Sequence, residues 1–396
     1  MFRFMNIQNG KLLPNASGYA DQPKIVIADD GTWVYAITTA SGKEGARDTF
    51  IGISLSRDAG ETWSDLQRLE PASKESSYAS LFKAPAGRIF CFYNYNVEGF
   101  TPSDPITESD GTVSHIFRCD MGMGIYCFKY SDDNGQTWSE RYYEVPIRDF
   151  DIDLQNRTYV RGKECRYFWN VSNPFAYDGG FYQPMSKMKY EHGGLGCRSE
   201  GALLYSPNLC TEPDPEKIRW ETLPEGMIGI RNLEDRNISE EHSCVALSDG
   251  TFYDVFRNND GFIGMSISRD QGRSWSESQR LTLCDGSVAQ NPRANCPIWK
   301  CRNGHYLLWF HNHDRCEYGQ RNPAWISAGK EIDTPEGKTL RWSMPAVLFY
   351  GKPEESISYP EFWETENGYF FSETQKRISR FHQIPREFME ELFDSI

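Results

Sequence analysis

The sequence predicts an all-β protein assembled from repeated units of antiparallel strands. Two observations carry this prediction. The pattern Ser-x-Asp-x-Gly-x-Thr/Ser-Trp occurs at residues 56–63, 131–138 and 268–275, and each copy follows a strand-like apolar run. Aromatic residues make up 14% of the chain, which also holds 33 Gly and 21 Pro, a composition typical of many short strands joined by turns. A strand-and-turn unit that recurs in a chain of 396 residues indicates a radial or stacked repeat fold.

The repeated motif has a local structural explanation. Ser and Asp side chains accept hydrogen bonds from backbone N–H groups two residues further on and so close a tight turn. The Gly at the fifth position supplies a backbone conformation that other residues reach only at a cost. The Trp then returns a large apolar ring to the core of its unit. We therefore interpret the motif as a structural turn and expect its aspartates to have no catalytic role.

Two further tryptophans extend the repeat. Trp220 and Trp342 end strand-like segments without the full motif, so we interpret both as degenerate copies. The resulting series of five tryptophans is spaced by 75, 82, 55 and 67 residues, which suits one four-stranded unit plus loops of varying length. A sixth unit is predicted near residues 356–385, completed by a strand from the first 20 or so residues, since propellers remove free sheet edges in this way. The prediction is a six-bladed β-propeller with four-stranded antiparallel blades, forming a single domain over residues 1–396.

Two segments fall outside the repeat. The stretch near 146–197 has no motif and is rich in aromatic residues and Gly. It is predicted to be an insertion at the substrate-facing side, and a variable loop without function is an equally compatible alternative. Near 385–393, a Pro is followed by a pattern of acidic and apolar residues, which predicts a short C-terminal helix with Pro in its first turn.

Composition and charge argue against several classes of function. The chain has 42 basic and 56 acidic residues, a net charge of −14, and no run of Lys or Arg. It therefore lacks the electrostatic pattern of proteins that bind nucleic acid or anionic membranes. No apolar stretch approaches the roughly 18 residues of a membrane-spanning helix. The start of the sequence lacks the pattern of a signal peptide, so the expected location is cytoplasmic, or secreted or periplasmic if a signal has been removed.

The cysteine and histidine patterns predict no metal and no cofactor. There are 11 Cys, an odd number, and no CxxC pair, which argues against both a disulfide framework and a zinc site. His311 and His313 alternate along a predicted strand but have no third ligand nearby in the sequence.

The residues between the repeats follow a recognisable order. Glu241 precedes an Asp-Gly-Thr turn and a strand that ends in Arg257, and this strand leads to the third copy of the motif. Arg321 follows the next strand-like run, and the last unit contains Tyr359, a Gly turn and then Glu373. Together with the repeated motif, which resembles the Asp-box, this order is similar to that of the sialidase (neuraminidase) superfamily over most of the chain.

The resemblance implies catalytic roles for two residues and substrate-binding roles for three. Tyr359 would be the nucleophile, and Glu241 would be its general base, with Glu240 as the neighbouring alternative. Arg257 and Arg321 would hold a substrate carboxylate through paired, charge-assisted hydrogen bonds, and Glu373 would support this clamp. A neutral Tyr suits a sugar whose anomeric carbon bears a carboxylate, because it avoids charge repulsion. Its pKa near ~10 explains the need for an adjacent base.

The beginning of the chain departs from the family pattern. Where the family has Arg-Ile-Pro, residues 21–23 read Asp-Gln-Pro, so Asp21 replaces the first arginine of the clamp. Arg293 and Arg231, both in predicted loops, are the candidates to replace that arginine. The acid/base carboxylate of the family lies shortly before the first Asp-box, and here Glu44 and Asp48 are equally good candidates.

The resemblance therefore implies a sialidase-like exo-glycoside hydrolase that retains anomeric configuration and cleaves a terminal acidic or otherwise modified sugar from a glycan or oligosaccharide. Two alternatives remain open. Without the first arginine, the substrate is a neutral pentose or a uronic acid, as in other propeller glycosidases. The third possibility is a glycan-binding propeller without catalysis. The oligomeric state is not predicted.

Overall fold

The computed structural model describes residues 4–101, 103–115, 124–191, 194–232, 238–315 and 320–396. Strands account for 46% of the residues and helix for 5%, so the predicted all-β class is confirmed. Within the described ranges, no helix has the length and apolar character needed to cross a membrane.

The first half of the chain contains strands β1 (Met5–Asn6), β2 (Lys11–Leu12), β3 (Tyr19–Ile27), β4 (Trp33–Ala40), β5 (Phe50–Ser56), β6 (Gln67–Arg68), β7 (Ser76–Lys83), β8 (Ile89–Tyr95), β9 (Pro105–Glu108), β10 (Val113–His115), β11 (Ile125–Ser131), β12 (Tyr143–Glu144), β13 (Thr158–Val160), β14 (Lys163–Cys165), β15 (Phe168–Trp169), β16 (Phe175–Tyr177) and β17 (Gly180–Glu191). The second half contains β18 (Gly194–Ser206), β19 (Glu221–Leu223), β20 (Glu240–Ala246), β21 (Phe252–Arg257), β22 (Gly264–Ser268), β23 (Gln279–Arg280), β24 (Ile298–Lys300), β25 (Tyr306–Phe310), β26 (Ala324–Thr334), β27 (Gly337–Trp342), β28 (Ala346–Tyr350), β29 (Ser358–Thr365), β30 (Gly368–Thr374) and β31 (Ser379–Ile384). The helices are α1 (Asp151–Leu154) and α2 (Arg386–Asp394), with short 3-10 turns at Ile7–Asn9 and Pro215–Lys217.

In the described part of the chain these strands form seven sheets. Four have the simple orders β3-β4-β5-β6, β7-β8-β11-β12, β20-β21-β22-β23 and β29-β30-β31-β2. Two larger sheets are built on β17-β18-β19 and on β24-β25-β26-β28, and a small separate sheet has the order β10-β9-β13-β14. In the last of the four, β2 pairs antiparallel with β31, which confirms the prediction that the N-terminal segment completes the final unit.

One strand from each of the six sheets other than β10-β9-β13-β14, here called the main sheets, lies beside the corresponding strands of its neighbours. These six strands, referred to below as the first strands, are β3, β7, β17, β20, β24 and β29. Strand β3 contacts both β7 and β29, and β20 contacts both β17 and β24. A hydrogen bond of 2.9 Å from Ser80 to Gln183 joins β7 to β17, and the Trp299 and Phe362 rings join β24 to β29. These contacts therefore link the six strands into a closed ring.

The repeated motif has the same hydrogen bonds in all three copies. In the first copy, the Ser56 hydroxyl donates to Asp58 at 2.8 Å and accepts from the Gly60 N–H at 2.8 Å. Asp58 accepts from the Thr62 N–H and hydroxyl at 2.8 and 2.6 Å, and these bonds lower its pKa to about 2. The side chains thus reach four residues along the chain rather than the two we predicted, because the turn is wider than a simple β-turn.

A glycine substitution in the motif tests how strongly this turn constrains the fold. Gly60 has φ +85°, and a Cβ added there would lie 2.5 Å from the Phe381 ring. Gly60→Ala is expected to destabilise the protein by about 3 kcal/mol, from the backbone strain and the clash together. Gly31 has φ +84° but no described heavy atom within 4 Å, so Gly31→Ala is the matched control and should cost only about 1 kcal/mol. Equal midpoints of urea unfolding for the two variants would contradict this explanation.

The two segments outside the repeat have different secondary structure: the first contains short strands and one short helix, and the second is a helix. Residues 146–179 contain α1 and strands β13 to β16, and β13 and β14 belong to the small separate sheet. Strand β17, which begins at Gly180, belongs to the main sheet that contains β18 and β19. The segment outside the repeat therefore ends before Gly180. Helix α2 packs on β26 and β30 through the buried side chains of Phe388, Met389 and Leu392.

Candidate active site

Four first strands carry the same irregularity near one end. Each has a β-bulge in its pairing with the second strand, and one residue in each bulge has a positive φ. These residues are Gln22 at 54°, Tyr78 at 60°, Glu241 at 53° and Tyr359 at 46°. A left-handed conformation costs a non-glycine residue about 1–2 kcal/mol, and bulges and strain of this kind concentrate near active sites. The centre of the ring is therefore the candidate site.

Tyr359 and Glu241 meet there from different sheets. The Tyr359 hydroxyl donates to Glu241 Oε1 at 2.9 Å, although the residues are 118 positions apart. Burial raises the pKa of Glu241, and the charges of Arg257 and Arg321 oppose this effect. Burial also raises the pKa of the Tyr359 phenol, as does the charge of Glu241. The pair is a hydroxyl with an adjacent proton acceptor, which is the arrangement that an activated nucleophile needs.

Arg257 links this pair to a second carboxylate. Its Nη1 lies 2.9 Å from Glu241 Oε1 and 3.4 Å from the Tyr359 hydroxyl. Its Nη2 and Nε donate to Glu240 Oε2 at 2.8 and 3.0 Å, because Arg257 is the cross-strand partner of Glu240. Arg293 also donates to Glu240, at 3.1 and 3.2 Å. The two adjacent glutamates are therefore distinguished by their contacts: Glu240 pairs with two arginines, and Glu241 contacts the tyrosine.

Arg321 brings a positive charge whose partners among the described residues are all neutral. It is 4% exposed, and it donates to the Ser358 hydroxyl at 3.2 Å and to the backbone oxygen of Arg293 at 2.9 Å. Its guanidinium lies 5.6 Å from the centre of the Tyr359 ring. Its Nε is buried without a hydrogen-bond partner, and no described carboxylate forms an ion pair with it. A buried charge in this state is costly unless an anion joins it.

The side of the site near Asp21 contains a cation that the sequence analysis missed. Asp21 is 2% exposed, and its Oδ2 accepts from the Tyr19 hydroxyl and from Lys376 Nζ, each at 2.7 Å. Lys376 Nζ also lies 3.6 Å from Glu44 and 4.8 Å from the centre of the Tyr359 ring. The signal for it was indirect: a buried Asp in place of an arginine needs a counter-ion, but the sequence does not show which Lys or Arg reaches it.

The contacts also separate the two acid/base candidates. Asp48 accepts from the Ser41 N–H at 2.7 Å within its own loop. Burial raises the pKa of Asp48, but hydrogen bonds from the Ser41 and Gly42 backbone outweigh this effect and lower the pKa overall. Glu44 instead faces Lys376 and has a side chain that is 36% exposed. The structure thus places Glu44, rather than Asp48, beside the central cluster.

Three other predicted residues have partners that the sequence did not suggest. Glu373 is fully buried and lies 3.4 Å from His382, and none of the described clamp arginines contacts it. Arg231 pairs with Glu200 at 2.7 Å, and Arg293 pairs with Glu240 at 3.1 Å.

An aromatic side chain completes the site. The Trp169 ring lies 5.8 Å from the Arg257 guanidinium and 6.2 Å from the Tyr78 ring. Trp169 comes from the segment outside the repeat, in strand β15, which pairs with β17. That segment therefore supplies part of the wall beside Arg257, in a position where an aromatic ring can pack against a sugar.

Comparisons with known proteins agree with this fold. The family model described as "BNR repeat-like domain" matches residues 31–371. No curated protein matches the chain by sequence. Among solved structures, the intramolecular trans-sialidase from Ruminococcus gnavus, in complex with oseltamivir carboxylate, is similar with a TM-score of 0.62 and 13% identity, covering 98% of this chain and 99% of that chain.

Two other structures extend this likeness. A mutant of the NanB sialidase from Streptococcus pneumoniae gives a TM-score of 0.61 at 13% identity, covering 97% of this chain and 72% of that chain. A protein of unknown function from Dyadobacter fermentans gives a TM-score of 0.62 at 12% identity, covering 96% of this chain and 99% of that chain. At these identities the structures show a shared fold, and the family model covers most of the sequence. The chain belongs to the BNR repeat-like family.

Proposed function

We propose that the protein is a retaining exo-glycoside hydrolase that releases a terminal sugar bearing a carboxylate. The observation that carries this proposal is the 2.9 Å hydrogen bond from the Tyr359 hydroxyl to Glu241, beside the Arg257 guanidinium. A partly buried phenol bonded to a buried carboxylate has the two components of an activated tyrosine nucleophile. The sialidase fold of the solved neighbours supports the same class of reaction.

The proposed architecture is a single-domain, six-bladed β-propeller. The closed ring of first strands supports it, since each main sheet then forms one blade that radiates from the ring. The bulges of β3, β7, β20 and β29 lie in four of these sheets, and two of the bulged residues, Glu241 and Tyr359, meet at 2.9 Å.

The reaction would proceed in two displacements. In the first, Glu241 accepts the phenolic proton while Tyr359 Oη bonds to the anomeric carbon, and Glu44 donates a proton to the departing glycosidic oxygen. In the second, Glu44 removes a proton from water, the water oxygen bonds to the anomeric carbon, and Tyr359 Oη leaves and recovers its proton from Glu241. Two inversions at one carbon give net retention of configuration.

Arg321 is the group that most favours an acidic sugar. Arg257 already contacts two carboxylates, Glu240 and Glu241, whereas Arg321 has only neutral partners in the described part of the chain. A substrate carboxylate would pair with Arg321 and complete its charge balance, in addition to making a bond with Arg257. The negative charge of the substrate would then lie next to Tyr359, where a neutral nucleophile avoids repulsion.

The Asp21–Lys376 pair favours a second candidate within this class. It replaces the first arginine with two opposite charges, which together attract a carboxylate less strongly than a guanidinium does. A uronic acid, with its carboxylate held by two arginines, is therefore the alternative to a sialic acid. A binding protein without catalysis is the other alternative, and nothing in the Tyr359–Glu241 geometry favours it.

The proposed function is tested with a panel of 4-methylumbelliferyl glycosides. The panel contains an α-N-acetylneuraminide, α- and β-glucuronides, and neutral xylosides and arabinosides. We expect release of the fluorophore from an acidic glycoside and none from the neutral ones. Release from a neutral pentoside alone would reject the acidic substrate class. Saturable binding of an acidic sugar, measured by calorimetry without any release, would establish the binding protein instead.

The acid/base assignment predicts different behaviour for two neighbouring carboxylates. Glu44→Gln is expected to lower kcat about 100-fold on a glycoside with a poor alkyl leaving group, because that oxygen needs a proton to depart. The loss should be smaller with 4-methylumbelliferone, a good leaving group. Asp48→Asn is the matched control, with the same change of charge in the same loop, and should stay within about threefold of the wild type. A larger loss for Asp48→Asn would reverse the assignment.

A further inference from the structure

Three cations and one carboxylate surround Tyr359, and three different sheets contribute them. Arg257 ends β21, Arg321 precedes β26, and Lys376 lies in the turn between β30 and β31. Glu241, in β20, accepts the hydrogen bond from the phenol. The arginines are the family's clamp residues, but Lys376 has no counterpart in the pattern that the sequence resembles.

Lys376 is held in place by several contacts. Its Nζ donates to Asp21 at 2.7 Å and lies 5.6 Å from the centre of the Tyr19 ring. Tyr19 in turn donates to the same Asp21 oxygen at 2.7 Å. The backbone of Lys376 has φ +68°, a strained conformation for a residue with a side chain. Asp21 therefore fixes the ammonium group over one face of Tyr359 rather than leaving it in solvent.

We propose that Lys376, anchored by Asp21, is a positioning residue that stabilises the phenolate form of Tyr359. The inference rests on the proposed function for its effect on turnover, but its effect on the ionisation of Tyr359 is independent of any substrate.

The physical argument is the balance of charge around the phenol. Arg257 is compensated by Glu240 and Glu241, and Arg321 lies 5.6 Å from the ring. Lys376 is nearer, at 4.8 Å from the ring centre. A cation over the face of an aromatic ring is attracted by its electrons, and it stabilises a negatively charged ring more strongly than a neutral one.

Two carboxylates lie close to the Lys376 ammonium group, and they weaken its stabilisation of the phenolate without cancelling it. Asp21 is directly bonded to the ammonium group, and Glu44 lies 3.6 Å away. Burial opposes the charged form of Lys376, but the charges of Asp21, Tyr359 and Glu44 outweigh this and raise its pKa above the ordinary value. The ammonium group thus stays charged across the range in which enzymes work. Conversely, its charge acts with those of Arg257 and Arg321 to lower the pKa of the Tyr359 phenol, against the effects of burial and Glu241.

The pair also explains how a buried Asp is tolerated at position 21. An ionised carboxylate that is 2% exposed needs a compensating charge, and Lys376 supplies it. The replacement of arginine by Asp21 and the presence of Lys376 are therefore two parts of one arrangement. The cation is supplied by the sheet that contains β30 and β31 instead of the sheet that contains β3.

The test measures the ionisation of Tyr359 directly in the full-length protein. 3,5-Difluorotyrosine, whose phenol is more acidic than that of tyrosine, is placed at position 359, and its 19F resonance is followed as a function of pH. In Lys376→Met we expect the titration midpoint to move to higher pH, because a charge that favours the phenolate is gone. Lys376→Arg keeps the charge and should restore the midpoint most of the way. Arg377→Met removes a charge from the exposed neighbouring residue and should leave the midpoint unchanged.

A second variant controls for the effect of leaving Asp21 buried without a partner, which could unfold the protein. Lys376→Met leaves Asp21 buried without its partner, so Lys376→Met/Asp21→Asn removes both charges, and its midpoint should move in the same direction by a smaller amount. An unchanged midpoint in both variants overturns the proposal. With a substrate from the glycoside panel, Lys376→Met should lower kcat about 10-fold with less change in KM. A shifted midpoint in a protein that cleaves no glycoside would uphold this inference and reject the proposed function.

Discussion

Tyr359→Phe is expected to lower kcat at least about 1,000-fold on whichever acidic glycoside the enzyme cleaves. The substitution removes the oxygen that would bond to the anomeric carbon, and no other described hydroxyl donates to Glu241. The fold should persist, because one hydrogen bond at a partly exposed side chain contributes only about 1 kcal/mol. Steady-state kinetics with the glycoside, together with a urea unfolding curve, measures both quantities.

Tyr350→Phe is the matched control for this prediction. Tyr350 is 37% exposed at the end of β28, away from the ring of first strands, and loses the same atom. Its kcat should equal that of the wild type. If Tyr359→Phe retained more than a tenth of the wild-type kcat, the nucleophile would have to be another group. Binding of a sugar acid should survive in Tyr359→Phe, since Arg257 and Arg321 are unchanged.

The repeated turn shows what the sequence predicts well. Its hydrogen bonds join residues at most four positions apart, as in Ser56 to Gly60 and Asp58 to Thr62, so a short pattern contains all the partners. The spacing of the aromatic residues and the Gly turns likewise predicts where each repeated group of strands begins and ends. The all-β class and the use of an N-terminal strand in the last sheet followed from it.

The site depends on contacts that no local pattern contains. Tyr359 and Glu241 are 118 positions apart, and Asp21 and Lys376 are 355 positions apart. The first pair was predicted only because the residue order resembles that of a known superfamily. The second pair departs from that order, so nothing pointed to Lys376. The positive φ angles at Glu241 and Tyr359 were equally hidden, because both residue types ordinarily avoid that conformation.

The two adjacent glutamates should differ sharply in what they contribute. Glu240→Gln is expected to destabilise the fold by about 3 kcal/mol. Glu240 is fully buried, and its carboxylate accepts from both Arg257 and Arg293. An amide in its place provides no negative charge for either guanidinium. A urea unfolding curve at constant pH measures the loss, and the slope of the curve should stay unchanged if the native state is otherwise intact.

Glu241→Gln provides the comparison, since it makes the same chemical change at the next residue of the same strand. Arg257 keeps Glu240 as a partner in this variant, so the loss of stability should be about 1 kcal/mol. Its kcat should fall about 100-fold or more, because an amide does not accept the phenolic proton. The two variants thus separate folding from chemistry at neighbouring positions. Greater destabilisation by Glu241→Gln, or full activity in that variant, would show that the roles of the two carboxylates are the reverse of those assigned from their contacts.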